Sequence, residues 1–252
     1  LKKLLCFVFL LGIASCLGCS GTGRISPEEP DAHYLLGVSY LKEGNATLAL
    51  KELLDAEKTY PKDPDIQAAL GQAYHMKRAF PQAEEHYLRA LEAKPDNPRI
   101  ENNLGALYID LQKWNQAQQH FQKAADNLLF TEPEVALTGV GFASFKKGEY
   151  LLAVDAYKRA LEQNPRYSPA HFHLGEAYYA LDRNDLAIAS FQQALVLSPK
   201  YVEVYYQLGL AQLKAERKAD AIRSFQEVIR LAPDSETARL SRSHLLSLGK
   251  TK

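Results

Sequence analysis

Six glycines recur along the chain at a nearly constant interval, and that interval constrains the fold more than any local feature. They are Gly37, Gly71, Gly105, Gly141, Gly175 and Gly209, spaced by 34, 34, 36, 34 and 34 residues. Twelve positions after each stands an alanine: Ala49, Ala83, Ala117, Ala153, Ala187 or Ala221. Four further on comes a bulky apolar side chain, Leu53, Tyr87, Phe121, Tyr157, Phe191 or Phe225. A second small residue follows at Ala56, Ala90, Ala124, Ala160 and Ala194, with Val228 ending the series. Proline closes five of the six units, at Pro61, Pro95, Pro165, Pro199 and Pro233. A period of this length implies a stack of like supersecondary units, each too small to bury a core alone.

Each unit predicts two antiparallel helices. In the first, an apolar residue precedes the glycine (Leu36, Leu70, Leu104, Val140, Leu174, Leu208). A tyrosine follows the glycine by three at Tyr40, Tyr74, Tyr108 and Tyr178, so these positions share one helical face. A helical glycine costs about 1 kcal/mol relative to alanine. Keeping one in every unit predicts that the paired helices approach too closely for a Cβ. Proline then stops the second helix, because it lacks the amide proton and clashes with the preceding turn.

These spacings resemble the tetratricopeptide repeat. The resemblance implies an all-α solenoid, a right-handed superhelix of six helix-turn-helix repeats with a C-terminal capping helix. The expected repeats are 30–63, 64–97, 98–133, 134–167, 168–201 and 202–235. Residues 236–252 follow as capping helix and tail, with apolar Ala238, Leu245 and Leu248 among Arg239, Arg242 and His244.

Ahead of the repeats, Lys2 and Lys3 precede the apolar run Leu4–Ile13 and then small residues, the layout of a secretory signal peptide over residues 1–15. The run is shorter than the ~20 residues of a membrane span. Ile13-Ala14-Ser15-Cys16 resembles the bacterial lipobox, and Cys16-Leu17-Gly18-Cys19 is a second candidate with a cysteine in its first position. Lipidation is expected at Cys16, with Cys19 as the alternative, because several acyl chains on one residue anchor stably where one chain binds marginally. Residues 16–29 read as a flexible tether rich in Gly, Ser, Pro and Glu. The absence of Asp just after the cysteine resembles lipoproteins sorted to the bacterial outer membrane, on its periplasmic face.

Composition narrows the chemistry. Lys plus Arg number 30 and Asp plus Glu number 30, so the basic footprint of a nucleic-acid binder is missing. All three cysteines lie within the first nineteen residues, which leaves the repeats without a disulfide or thiolate metal site. Gly139-Val140-Gly141 superficially suggests a phosphate-binding loop, yet no strand precedes it and Gly141 belongs to the repeat framework. His171 and His173 are two apart and do not share a helix face. No catalytic constellation, cofactor motif or small-molecule substrate site is found. The expected partner is a protein, together with a membrane reached through the lipid anchor.

A solenoid of this type presents its inner surface mainly from the first helix of each unit. The helix face opposite the packing stripe carries Tyr34 and Leu41 in unit one, Asn102 in unit three, and Phe142 and Phe145 in unit four. Phe172 and Tyr179 follow in unit five, then Tyr206 and Leu213 in unit six. Exposed apolar area of this kind marks a partner site. The Lys and Asn of carboxylate-clamping repeat proteins are mostly replaced here by apolar residues. An amphipathic helix or an extended hydrophobic segment is therefore the expected ligand.

The junction after the third unit breaks the period by two residues, through Ala125-Asp126-Asn127-Leu128-Leu129-Phe130-Thr131-Glu132-Pro133-Glu134-Val135-Ala136. This stretch, the lipobox and six repeats together resemble the type IV pilus biogenesis lipoproteins known as pilotins. Thr138-Gly139 departs from the polar, helix-favouring pair expected there. The resemblance implies a partner among secretin subunits, which the protein would help to localise and multimerise in the outer membrane. A general adaptor lipoprotein serving another envelope assembly or polysaccharide export machine is the alternative, with some other envelope protein as partner.

Overall fold

The computed structural model describes residues 31–249. The expected signal peptide, the tether and both candidate lipidation cysteines lie outside the described residues. Thirteen α-helices and no strands are found among the residues described. Twelve form six antiparallel pairs: α1 Ala32–Lys42 with α2 Ala46–Thr59, α3 Pro64–Met76 with α4 Phe80–Ala93, and α5 Pro98–Asp110 with α6 Trp114–Asp126. The second half pairs α7 Pro133–Lys146 with α8 Tyr150–Gln163, α9 Ser168–Ala180 with α10 Asn184–Leu197, and α11 Val202–Lys214 with α12 Lys218–Leu231. The last helix, α13 Glu236–Gly249, covers α12. Pro133, placed by the 34-residue count at the end of unit three, is instead the first residue of α7, where its missing amide proton costs nothing.

The framework glycines let an aromatic or leucine ride directly over the helix. A Cβ on Gly71 would sit 2.6 Å from the Tyr87 ring, and one on Gly175 would sit 2.5 Å from the Phe191 ring. The same holds for Gly37 under Leu53, Gly105 under Phe121, Gly141 under Tyr157 and Gly209 under Phe225. Gly139 has the same cause from the other side. Its Cβ would lie 2.6 Å from Phe121, so this glycine brings α7 against the preceding unit and sandwiches one ring between two units. That contact explains the departure at Thr138-Gly139.

The turn inside each unit repeats as faithfully. Two residues beyond the first helix the backbone enters the left-handed region, at Gly44, Arg78, Gln112, Gly148, Asp182 and Glu216. In unit four, Gly148 N–H donates to Phe145 O at 2.9 Å and Glu149 N–H to Ser144 O at 2.9 Å, which satisfies carbonyls the helix end would leave unpaired. Four of the six positions hold this conformation without glycine. Between units, the second helix stops one residue before each X-Pro step, at Thr59, Ala93, Gln163, Leu197 and Leu231.

The three N-terminal units also share a polar pair across their helices, nineteen residues apart in each: His33 with Glu52, Gln67 with His86, and Glu101 with His120. In the second unit Gln67 Nε2 donates to Glu57 Oε1 and to Pro61 O, so its Oε1 faces His86 Nδ1–H at 2.7 Å. The His86 ring stacks on Tyr74 with centroids 5.1 Å apart. Burial holds this histidine below its usual pKa, with Glu57 opposing and Arg89 assisting. The neutral ring therefore stabilises the fold fully above the unfolded value of about 6.5, and that stability is lost as pH falls through the lower folded value. Thermal unfolding of the wild-type chain should fall more steeply below about pH 6.5 than that of His86→Gln.

Two glycine substitutions separate conformation from packing. Around Gly148 an added Cβ meets nothing within 4 Å, so Gly148→Ala tests the positive φ of 79° alone. It should cost about 1 kcal/mol. Gly175→Ala should cost about 1–3 kcal/mol through displacement of Phe191. Both are read by denaturant unfolding.

Candidate functional site

The first helices α1, α3 and α5 combine with the irregular junction to enclose an open groove of about 520 Å³. Its apolar surface comes from Tyr34, Val38 and Leu41 on α1, Ala68 and Ala69 on α3, Ile100 on α5 and Phe130 from the junction. Gln72, Asn97 and Asn103 supply amides, while Lys42, Asp65, Arg99 and Glu132 place charges of both signs at its edges. Asp65 is already paired with Lys94 at 2.8 Å. Tyr34 is half-buried there, and burial together with Asp65 and Asp63 raises the pKa of its hydroxyl.

Local structure explains why this half is open. Asp63 and Asn97 cap α3 and α5 with side chains turned onto the backbone, accepting from Ile66 N–H at 3.0 Å and Ile100 N–H at 3.3 Å. Alanine at 68 and 69 then leaves space between neighbouring first helices. In the C-terminal half the equivalent N-cap positions are Tyr167 and Tyr201, and neither makes a side-chain cap bond. Tyr201 turns inward instead, with its ring 5.2 Å from Phe172.

Phe172 is accordingly not a surface residue. It is 5% exposed, packed among Tyr201, His173 and Phe191, which corrects its expected place on the inner surface. Leu41 also belongs chiefly to the core at 7% exposure, although it reaches the groove floor. Asn102 is displaced from the groove by one residue. Asn103 lines it, whereas Asn102 Oδ1 is buried without a hydrogen-bond partner among the described residues. Phe142, Phe145, Tyr179, Tyr206 and Leu213 keep partial exposure along α7, α9 and α11. Lys146 Nζ lies 5.1 Å over the Phe142 ring and Lys214 Nζ 4.7 Å over Tyr179, so cations already occupy the faces of two of these rings. Tyr206 is engaged with Phe225 and His244 at 6.0 and 6.2 Å. Of the expected site residues, Tyr34 and Leu41 therefore share one groove, while several in the C-terminal half are committed to neighbours.

His171 and His173 point to different partners, Pro165 O and Glu176. Gly139 and Gly141 lie inside α7 as packing glycines.

Stacked helix pairs with an open groove lined by apolar, amide and charged side chains define a scaffold for binding other proteins. Family models described as tetratricopeptide repeat match residues 22–64, 34–98 and 202–235, and one described as TPR repeat matches 141–182 and 175–215. These matches span more than half of the chain, which belongs to the tetratricopeptide repeat family. No curated protein sequence matches it. Among solved structures, the fold is similar to that of PilW, a widely conserved type IV pilus biogenesis factor (TM-score 0.77, 22% identity, 82% of this chain and 96% of that one). It is also similar to pilF of Pseudomonas aeruginosa (TM-score 0.75, 20% identity, 85% and 96%). MamA is similar over a shorter span (TM-score 0.59, 27% identity, 67% and 91%).

Phe172→Asp should fail as a binding variant, because a carboxylate buried among three rings costs about 3 kcal/mol or more of stability. Tyr206→Asp, at a part-exposed position, should fold normally. Circular dichroism melts of the two variants decide the point.

Proposed function

We propose that this protein is an outer-membrane lipoprotein, anchored through Cys16 or else Cys19, that aids secretin localisation and multimerisation in type IV pilus biogenesis. The groove across the first three units carries the reading. Its apolar side chains stand among amides that can meet a peptide backbone, which suits an amphipathic segment of a secretin subunit. Holding such a segment before assembly would keep an aggregation-prone surface covered. The likeness of fold to PilW and pilF over 96% of each of those chains supports the assignment to pilus biogenesis. The lipobox and the junction at residues 125–136 support it from the sequence.

The acyl anchor supplies location. Confining the groove to one membrane raises the effective concentration of any partner that inserts there, without a new contact.

Val38→Glu places a charge on the groove floor at a part-exposed position. It should weaken binding of the secretin subunit by about tenfold or more while leaving the melting curve unchanged. In cells, deletion of the gene should lower heat-resistant secretin multimers and leave monomer present, and Val38→Glu should reproduce that pattern. Unchanged multimers in the deletion strain would refute the pilus assignment and favour an adaptor for another envelope machine.

A further inference from the structure

Two leucines at the irregular junction stand clear of the solenoid. Leu128 is 99% exposed and Leu129 87%, more than any other large apolar side chain among the described residues. The corresponding junctions read Pro61-Lys62, Pro95-Asp96, Pro165-Arg166, Pro199-Lys200 and Pro233-Asp234. Counted from the framework alanine, Leu129 stands at the position that the other junctions give to proline, and this junction lacks their Pro-charge step.

The tip is held rigidly. Asn127 N–H donates to Ala124 O at 3.3 Å, and Asn127 Nδ2 donates to Asp96 O at 3.0 Å. Asn127 Oδ1 accepts from Leu129 N–H at 2.9 Å. Phe130 N–H then returns to Asn127 O at 3.0 Å, and the Phe130 ring packs against the core. The leucine pair is a preorganised knob, with little ordering left to be lost on contact.

Its position suggests what it meets. Junctions of this type lie where a second helix ends and the next first helix begins. α1 starts on that same edge, and Tyr34 and Leu129 line one groove. The first described helix thus begins on the knob's side of the groove. Residues 16–29 lie between the expected lipidated cysteine and α1 in sequence.

We infer that Leu128 and Leu129 dip into the bilayer that holds the anchor and orient the groove mouth toward it, an inference that rests on the lipid-anchor reading above. The chemistry favours lipid over protein. Leucine is under-represented among protein–protein hot spots. Two side chains cover far less than the ~800 Å² per partner of a stable protein interface. Small apolar insertions at the headgroup boundary, by contrast, add to an existing anchor methylene by methylene.

Trp114 is the single tryptophan, and Trp114→Phe installs there the residue that unit two carries as Phe80. In that background, Leu129→Trp reports on the knob, with Leu128→Trp as an independent second position. Leu246→Trp on α13, 67% exposed, serves as control. The full lipidated chain is placed in phosphatidylcholine vesicles with brominated or plain acyl chains. Emission from the knob variants should fall about twofold in brominated vesicles while that of the control is unchanged. Unquenched knob emission from chains that float with the vesicles overturns the inference and leaves the anchor standing. Knob emission that responds only to an added secretin subunit also overturns it and gives the knob to a protein interface. Chains that fail to float overturn the anchor reading and this inference with it.

Discussion

The contact between a glycine on the first helix and the ring or leucine above it organises the whole molecule. In each unit the missing Cβ lets a large side chain from the second helix fill the space that would otherwise separate the pair. Leu53, Tyr87, Tyr157, Phe191 and Phe225 are nearly or wholly buried in consequence. The helix-propensity cost of glycine, about 1 kcal/mol, is offset by burial of a side chain worth about 1.5–3 kcal/mol. Repeating that exchange six times produces a scaffold whose first helices are held at a fixed spacing. The size of the residues between them then decides whether a groove opens.

That decision differs between the halves. The N-terminal units use short capping side chains at Asp63 and Asn97 and alanines at 68 and 69, so their inner surface is hollow. The C-terminal units put tyrosine at the equivalent cap positions and fill their own hollow with Phe172. The change falls at the irregular junction, where Gly139 draws α7 onto Phe121. One side of that junction therefore presents a cavity and the other a packed aromatic ridge.

Most of the fold was legible in the sequence because the period reports packing directly. A glycine kept against propensity, an alanine twelve on and a ring four beyond that describe one contact, and the structure shows that contact. The site was legible only in part. Tyr34 and Leu41 reach the groove, but Phe172 does not, since a pattern of apolar residues cannot distinguish a displayed ring from one covered by Tyr201 two helices later in the chain. Ala69 and Asn103 were harder to foresee, because they matter through smallness or through one residue of helical rotation. Phe130 carried a signal, being an aromatic residue inside the one junction that breaks the period.

The two ends of the array are finished differently. α13 lays His244 flat on Phe225 and closes the last unit, while Leu36, whose counterparts Leu70 and Leu104 are wholly buried, remains 48% open in the first. In a quasi-one-dimensional stack a terminal unit has one neighbour to lean on. Fraying should thus begin at α1 and α2, the elements that form one wall of the groove. A ligand seated there would act as a missing neighbour, so occupancy and the folding of the leading repeat become a single equilibrium.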